Sequence, residues 1–339
     1  MGITGLGQNG CFLAQKEATY NTAIATTPKF LPLVEGTLQY LIDQIAKQNM
    51  VNSRNPQTPQ NGRKKVGAND LTFEIPPDLM GFYMELPFGA AASDEDTPVA
   101  GSNTHTFLVP IEGESLGASW TAGQYIGNDT GEQMAGVKCT KFTITWDAEG
   151  TVKFIPTLVG VGLDDGALDR PATVTVSATD YYTFCNMVTS ITPSGDSLFV
   201  QKVNSGEIMV DFGYLEDGQR FQAGSCEAGV PIFGTIPTVT VKLNIDAEKK
   251  WETWAQEIKS FKIDVLATSD EIITGTTPFT FAFEAPAMIL EPMHRETAND
   301  LISQDISFKV ALGGVTTGSG TDVVQAELRV VDDTAAYAG

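Results

Sequence analysis

The chain is dominated by short segments in which apolar and polar residues alternate. A period of two places the apolar side chains on one face of a β-strand. The clearest segments are LTFEI (71–75), FTITW (142–146), VKFI (152–155), VTVKLNI (239–245), FKIDV (261–265), FTFAF (279–283), ISFKV (306–310) and AELRV (326–330). Gly, Pro, Asn and Asp separate them, as turn residues do in antiparallel sheets. The pattern predicts a mainly β protein.

Two segments instead repeat their apolar residues at the helical spacing of three and four. Helices are predicted over 77–86 and 246–258, with Asp78 and Asp246 as candidate N-caps. Each helix has an apolar face that we expect to lie on a sheet. The first face is Leu79, Phe82, Tyr83 and Leu86, and the second is Ala247, Trp251, Trp254, Ala255 and Ile258.

The order of strand, polar loop, strand and helix occurs twice along the chain. EGTLQYLI (35–42) matches SGEIMVDF (205–212), so that Gly36 corresponds to Gly206 and Leu38 to Ile208, and LTFEI matches VKLNI (241–245) at the same offset of 170. The halves also end alike, with 137–146 and 152–161 matching 302–312 and 323–331. The sequence therefore predicts two tandem domains, residues 1–165 and 166–339, related by duplication.

Composition narrows the class of protein. The 339 residues carry 42 Asp and Glu against 21 Lys and Arg, a net charge of −21. An acidic surface repels phosphate, which argues against tight nucleic-acid binding but not against a wall to which DNA must not stick. The sequence shows no secretory signal, and no apolar run approaches membrane-spanning length. The four scattered cysteines are typical of free thiols in a reducing compartment, so we expect synthesis in a cytoplasm.

Patterns that would indicate catalysis or metal binding are weak. His105 and His294 have no Cys, His or Asp at metal-ligand spacing, so both are predicted to be structural or surface residues. The Gly-rich stretch 313–322 lacks the lysine of a phosphate-binding loop and is interpreted as a hairpin loop. Acidic pairs at 94–96 and 164–165 lack the spacing of a Ca²⁺ loop. We expect no enzyme activity, no metal site and no cofactor.

The loops that follow the matched strands differ in charge. Residues 43–66 carry five cations against the single acid Asp43, namely Lys47, Arg54, Arg63, Lys64 and Lys65. The corresponding stretch 213–234 carries Glu216, Asp217 and Glu227 against Arg220. Opposite charges suit a head-to-tail contact between copies and would set its register. A solvated, flexible loop is the competing interpretation.

Short motifs spread along most of the chain resemble the tail tube proteins of long-tailed bacteriophages of the siphovirus type, specifically the larger, duplicated kind. AQKEATYNT (14–22) is similar to the family's opening E-(S/T/A)-T-Y-G-T, with Asn21 in place of the usual Gly. FLPLV (30–34) follows, and 66–90 contains a Gly-led strand, a helix and a Leu-x-Phe-Gly exit. THTF (104–107) opens the next strand, and ELRVVDD (327–333) with Tyr337 resembles the closing strand.

The resemblance implies a β-barrel or β-sandwich with one flanking helix in each domain. It also implies a major tail tube subunit whose sheets join edge to edge in rings that stack into a hollow tube. Single-domain members form hexameric rings, so the doubled chain would form trimeric rings with pseudo-sixfold symmetry. Hairpin loops of such proteins contact the next ring.

The partners that the resemblance implies are other copies of the chain, the tape-measure protein, the tail terminator and the distal tail or tail-tip proteins. Double-stranded DNA would pass through an acidic lumen without specific binding, and no membrane is involved. The alternative function is a two-domain β-sandwich that binds a receptor or carbohydrate as a phage appendage. That alternative needs an exposed aromatic platform, whereas the four tryptophans, at 120, 146, 251 and 254, mostly lie on predicted core faces.

Overall fold

The computed structural model describes most of the chain. The described residues are 11–23, 28–45, 60–96, 99–110, 119–125, 132–160, 162–163, 177, 179–197, 199–200, 203–215, 229–246, 248–292, 303–310, 315–316 and 323–335. The predicted fold class is confirmed, because this part of the chain is mainly antiparallel β-structure with two α-helices.

The first half of the chain contributes ten strands and one helix to the described structure. In chain order they are β1 (Cys11–Lys16), β2 (Lys29–Leu31), β3 (Leu33–Ile45), β4 (Gln60–Glu74), α1 (Met80–Phe88), β5 (Ser93–Asp96), β6 (Asn103–Pro110), β7 (Trp120–Tyr125), β8 (Glu132–Asp147), β9 (Lys153–Gly160) and β10 (Gly162–Leu163). A 3-10 turn, Pro77–Leu79, precedes α1.

The second half contributes nine strands and the other helix. They are β11 (Met187–Pro193), β12 (Phe199–Val200), β13 (Val203–Asp211), β14 (Thr238–Asp246), α2 (Lys249–Gln256), β15 (Ser260–Thr274), β16 (Thr277–Leu290), β17 (Ser303–Val310), β18 (Val315–Thr316) and β19 (Val323–Asp332). A 3-10 turn, Phe184–Asn186, precedes β11.

Strand pairing runs without a break from one half to the other. The order is β3–β4–β9–β8 in the first half and β13–β14–β17–β16–β15–β11 in the second, and β8 pairs with β13. The N-terminal part of the long strand β8 also pairs with β7 and β10, and β7 pairs with β1. These pairings form a second sheet. The first half also enters the sheet of the second, because β6 pairs with β19.

The predicted repeat can be compared with these pairings. Strands β3 and β4 pair as β13 and β14 do, and a helix follows β4 and β14 alike. The next strand in the first half is β9, which pairs with β4, and β8 pairs with β9. In the second half the strand that pairs with β14 is β17, and β16 pairs with β17. The expected match of 302–312 with 137–146 is therefore wrong, because pairing rather than sequence order identifies the equivalent strand.

Helix α1 lies at the centre of the molecule. The prediction of one apolar face is too narrow, since all nine of its residues are buried, including Phe82, Tyr83 and Leu86. Its Phe88 ring contacts Phe107 at 5.6 Å and Phe212 at 5.3 Å, rings that come from the two halves of the chain. Burial on every side is expected for a helix enclosed by sheets. Leu79 belongs to the preceding 3-10 turn and is half-buried against the core.

Helix α2 is shorter than predicted. Trp251 is fully buried and Trp254 packs edge-on against it, with ring centroids 5.1 Å apart. Ile258, which we expected on the same face, lies beyond the last helical residue with a φ of 53° and is 69% exposed. Leaving the right-handed region turns its side chain away from the core. The N-cap is Glu248 rather than Asp246, and Ala247 lies outside the described residues.

Asp78, the other predicted N-cap, has a different role. The residue before α1 is Leu79, and the Asp78 carboxylate accepts hydrogen bonds from the Ser177 and Thr179 hydroxyls at 2.6 and 2.8 Å. These contacts tie the segment between the two halves to the start of α1. Three positions later that segment inserts Tyr182, whose backbone bonds Ile75 on one side and Val152 on the other.

Candidate assembly surfaces

The two halves meet at the pairing of β8 with β13, which we call the seam. It runs from Lys141 opposite Asp211 to Asp147 opposite Ser205. One face of the seam is fully buried and apolar, with Phe142 and Ile144 of β8 beside Ile208 and Val210 of β13. The seam is thus a completed sheet–sheet junction between the two halves of the chain.

A glycine makes this junction possible. Gly206 lies directly opposite Trp146 across the seam, and a Cβ on Gly206 would overlap the indole ring. Trp146 is 2% exposed, so its ring has little room to move away. The close approach of backbone and ring therefore requires glycine at this position.

The opposite face of the same sheet is polar and carries paired charges. Lys242 bonds Glu207 at 2.9 Å next to the seam, and Lys309 pairs with Glu291. Further along, Lys262 and Arg329 both reach Glu284, at 2.9 and 3.1 Å. Asp264 and Glu327 complete that group, at 3.2 Å from Lys262 and 2.9 Å from Arg329. These four cations of the polar face are thus held by carboxylates of the same strand or of a neighbouring one.

The described parts of the predicted basic loop, residues 43–45 and 60–66, belong to two paired strands. β3 continues to Ile45 and β4 begins at Gln60, so Arg63, Lys64 and Lys65 lie within a strand, with Lys65 opposite Leu41. Polarity alone misplaced the loop, because backbone pairing does not require apolar side chains. Strand β9 ends at Gly160, opposite Val66 of β4. The described N-terminal residues of β4, before Val66, therefore pair with β3 alone. Arg63 is exposed there, whereas Lys47 and Arg54 lie outside the described residues.

The acidic loop is described only at its base. Leu215 N donates to Ile232 O at 2.8 Å, and the rings of Tyr214 and Phe233 stack with centroids 4.4 Å apart. Glu216, Asp217 and Glu227 lie outside the described residues. The described base also exposes a small apolar surface that the charge pattern did not reveal; it consists of Val230, Ile232 and Ile236. The alternation of apolar residues with Pro and Gly in VPIFGTIP (230–237) is the signal that could have found it.

The outer edge of β3 is closed by a side chain rather than by a strand. Leu38 N donates to Gln124 Oε1 at 2.8 Å, and Gln124 Nε2 donates to Gly36 O at 3.2 Å. The carboxamide therefore imitates the backbone of a neighbouring strand at two adjacent edge positions. Sequence reasoning missed Gln124, because nothing in the pattern of β7 distinguishes it.

The opening motif AQKEATYNT forms a turn built on a buried carboxylate. Glu17, 4% exposed, accepts hydrogen bonds from Ser119 Oγ and Thr121 Oγ1 and from the backbone N–H groups of Asn21 and Gly136. Asn21 has a φ of 57°, a left-handed conformation that glycine adopts freely and asparagine tolerates. The exchange of Gly for Asn at this position is therefore explained by the backbone.

Comparison with known proteins agrees with this architecture and with the opening motif. A family model described as phage tail tube protein matches residues 7–310. The chain belongs to the phage tail tube protein family. No curated protein matches the sequence significantly. Membership makes it a structural protein of the virion tail that assembles into the tube and contacts other tail proteins.

Family membership leaves the inter-ring residues as a prediction. The structure brings Arg63, Lys64 and Lys65 together on one strand of a hairpin, and it does not describe the five other charged residues. Among the described residues, no cluster of three or more His, Cys, Asp or Glu side chains is arranged to hold a metal ion. No helix in this part of the tail tube protein is both long and apolar enough to span a membrane.

One histidine of this tail tube protein is fully buried between two acids. His105 Nδ1 lies 2.5 Å from Asp94 Oδ1, and its Nε2 lies 3.1 Å from Asp332 Oδ1 and 3.0 Å from Thr334 O. Burial by itself lowers the pKa of His105, but the hydrogen bonds to Asp332 and Asp94 outweigh it and raise the pKa above its usual value. The structural role expected for His105 is therefore to join β5 and β6 to the end of β19.

Proposed function

We propose that this tail tube protein is the major tail tube subunit and forms stacked rings of three chains, in which six similar units surround a hollow conduit for DNA. The seam carries the proposal. In the seam, a strand of one half pairs with a strand of the other through their sheet edges, with an apolar face packed on one side and a polar face left open on the other. Repeating that junction between chains extends the sheet into a closed wall, and closure removes exposed sheet edges.

The polar face suits the inner wall of such a conduit. Double-stranded DNA binds proteins chiefly through cations that replace its counterions. On this face Lys242, Lys262 and Arg329 are each held by carboxylates, so phosphate would have to compete with them. With an acidic net charge of −21, the wall would let DNA pass without holding it.

Stacking of the rings is assigned to the two unlike loops. The hairpin of β3 and β4 carries the basic residues and projects past the end of β9, while the 213–234 loop carries the acids. A two-stranded ribbon is marginally stable alone, so a contact with the next ring would stabilise it. A basic surface facing an acidic one would also set the rotation between rings.

The proposed partners follow from this position in the virion. They are other copies of the chain, a tape-measure protein inside the tube, a tail terminator at one end and distal tail or tail-tip proteins at the other, with the subunit made in the cytoplasm of the bacterial host. The appendage alternative is less well supported. In the described part of the chain, the large hydrophobic side chains that are most exposed are all aliphatic, so no aromatic platform is visible there.

Electron microscopy and native mass spectrometry of the purified protein test the proposal. We expect stacked rings or tubes at high protein concentration, and rings with the mass of three chains when the tubes are dissociated. Monomers at every concentration, or rings of six chains, would contradict it. Binding of a glycan or a cell surface by the monomer would favour the appendage function instead.

A further inference from the structure

The seam identifies which edges remain free for a second copy. Strand β8 pairs with β9 on one side, and its C-terminal part receives β13 on the other. In the second half, β16 corresponds to β8 because it pairs with β17, the counterpart of β9. The edge of β8 that pairs with β13 therefore has a counterpart on β16. This counterpart is the edge at the C-terminal end of β16, on the side away from β17.

No described strand of the same chain pairs with that edge at the end of β16. β15 reaches only as far as the pair Ser260 and Ile289, and beyond it the described residues of β16 pair with β17 alone. Glu291 N donates to Ser307 O on the β17 side, at 2.8 Å, so the next backbone nitrogen points to the open side. That residue is Pro292, which has no N–H to leave unpaired and is typical of an exposed strand edge.

The strand that corresponds to β13 is β3, and its matching edge is the one that Gln124 covers. By the offset of 170, Gly36 and Leu38 correspond to Gly206 and Ile208, which lie opposite Trp146 and Ile144 in the seam. Where β13 receives a neighbouring strand, β3 receives the Gln124 carboxamide, which satisfies one N–H and one C=O. The same backbone positions are thus paired in both halves, by a strand in one and by a side chain in the other.

We propose that the outer edge of β3 in one copy pairs with Leu290–Pro292, the last residue of β16 and the two residues after it, in a second copy, and that Gln124 holds the β3 edge closed until then. The inference rests on the proposed ring and names the strands that close it. An uncovered edge of two or more free backbone groups is a template for wrong pairing. A covering side chain prevents such pairing in the free subunit and is displaced when the correct strand arrives.

A photo-crosslinker in place of Gln124 tests the strand assignment. With p-benzoylphenylalanine at position 124, we expect crosslinks to β3 of the same chain in the free subunit. In assembled tubes we expect crosslinks to a peptide of a second copy that contains Leu290–Pro292, identified by mass spectrometry. The same group in place of Gln15, a half-buried residue of β1, is the control and should not reach that peptide. Tubes in which position 124 crosslinks only within its own chain would overturn the assignment.

The covering role is tested by the onset of assembly. Gln124→Leu removes both hydrogen bonds, so growth no longer has to break them, and we expect the critical concentration to fall about thirtyfold, a factor of about five for each net hydrogen bond. Gln124→Glu keeps the acceptor for Leu38 N–H and should give a smaller fall, while Gln15→Leu should give none. An unchanged or higher critical concentration for both Gln124 variants would overturn the covering role.

Amide exchange at Leu38 provides a reading that does not depend on assembly yield. The Leu38 amide should be protected from exchange in the free wild-type chain and unprotected in the free Gln124→Leu chain. In tubes of either protein it should be protected. Protection of Leu38 in the free Gln124→Leu chain would also overturn the covering role. Failure of the wild-type chain to form rings at all refutes the proposed function. Wild-type tubes with negative results in these experiments refute only the inference.

Discussion

Buried charge at single residues holds distant parts of this chain together. Glu17 joins the N-terminal turn to Ser119, to β7 and to β8 through three hydrogen bonds, and His105 joins β5 and β6 to β19 through two carboxylates. Fully satisfied buried groups of this kind specify one arrangement of the elements that they connect, because the loss of any one partner leaves a desolvated charge. Both residues are therefore structural, as the sequence predicted for His105.

The stability of the protein should decrease with rising pH through the titration of His105. Its pKa is raised in the folded state, so the stabilisation is complete below the unfolded value of about 6.5 and is lost as the pH rises through the higher folded value. We expect the free energy of unfolding, measured with urea from pH 5.5 to 9, to fall over this range. His105→Gln should cost about 3 kcal/mol at pH 6 and flatten the profile. His294→Gln is the matched control, and an equal profile for both variants would contradict the role of His105.

For single residues, the sequence was most informative where a short motif is associated with a particular backbone conformation. The Glu-Ala-Thr-Tyr-Asn motif was recognised by its resemblance to the family, and the left-handed conformation of Asn21 explains how Asn can stand where the family has Gly. Gln124 could not be predicted, because its role depends on β3 and β7 meeting across 86 positions of chain. The same holds for the acids around His105, which come from two separate strands.

At the scale of elements, alternation placed the central strands well but did not mark their ends. β3 and β4 continue through polar residues that were interpreted as a loop, since pairing of backbones is indifferent to side-chain polarity. The first helix was placed correctly, yet its enclosure on all sides followed from the position of both halves around it. A periodicity describes one face of an element, and the number of layers around that element decides how many faces are buried.

The seam predicts a strong effect of a very small substitution. Gly206→Ala places a methyl group where the Trp146 ring lies, and overpacking of a buried site costs about 2 kcal/mol. We expect this loss in urea unfolding, and a partial recovery in Gly206→Ala with Trp146→Phe, whose smaller ring leaves room for the methyl group. Ser205→Ala, one residue earlier on β13, is the control and should change stability by less than about 0.5 kcal/mol. A Gly206→Ala protein as stable as the control would show that the seam is not tightly packed there.

At the scale of the whole molecule, strand pairing joins the two halves that the sequence predicts as separate domains. The predicted boundary near residue 165 remains a prediction, yet the pairings that cross it are extensive. β6 of the first half pairs with β19 of the second from Asn103 opposite Asp332 to Pro110 opposite Val324, and β8 pairs with β13. The sequence pattern could not reveal these pairings between the halves. A comparison of one half with the other shows which residues correspond, but it does not show which residues are in contact.

These shared strands predict that the chain unfolds as one cooperative unit. Fragment 1–165 would keep the pairing of β6 with β5 but would leave the other edge of β6 and the outer edge of β8 unpaired, and it would expose the Phe88 ring where Phe212 packs. We therefore expect a single unfolding transition for residues 1–339 in urea, with coincident curves from far-UV circular dichroism and tryptophan fluorescence. Fragments 1–165 and 166–339 should be largely unfolded when expressed separately and should gain structure when mixed. Two separate transitions, or two fragments that fold alone with native-like stability, would show instead that each half is an independent domain and that the seam merely joins them.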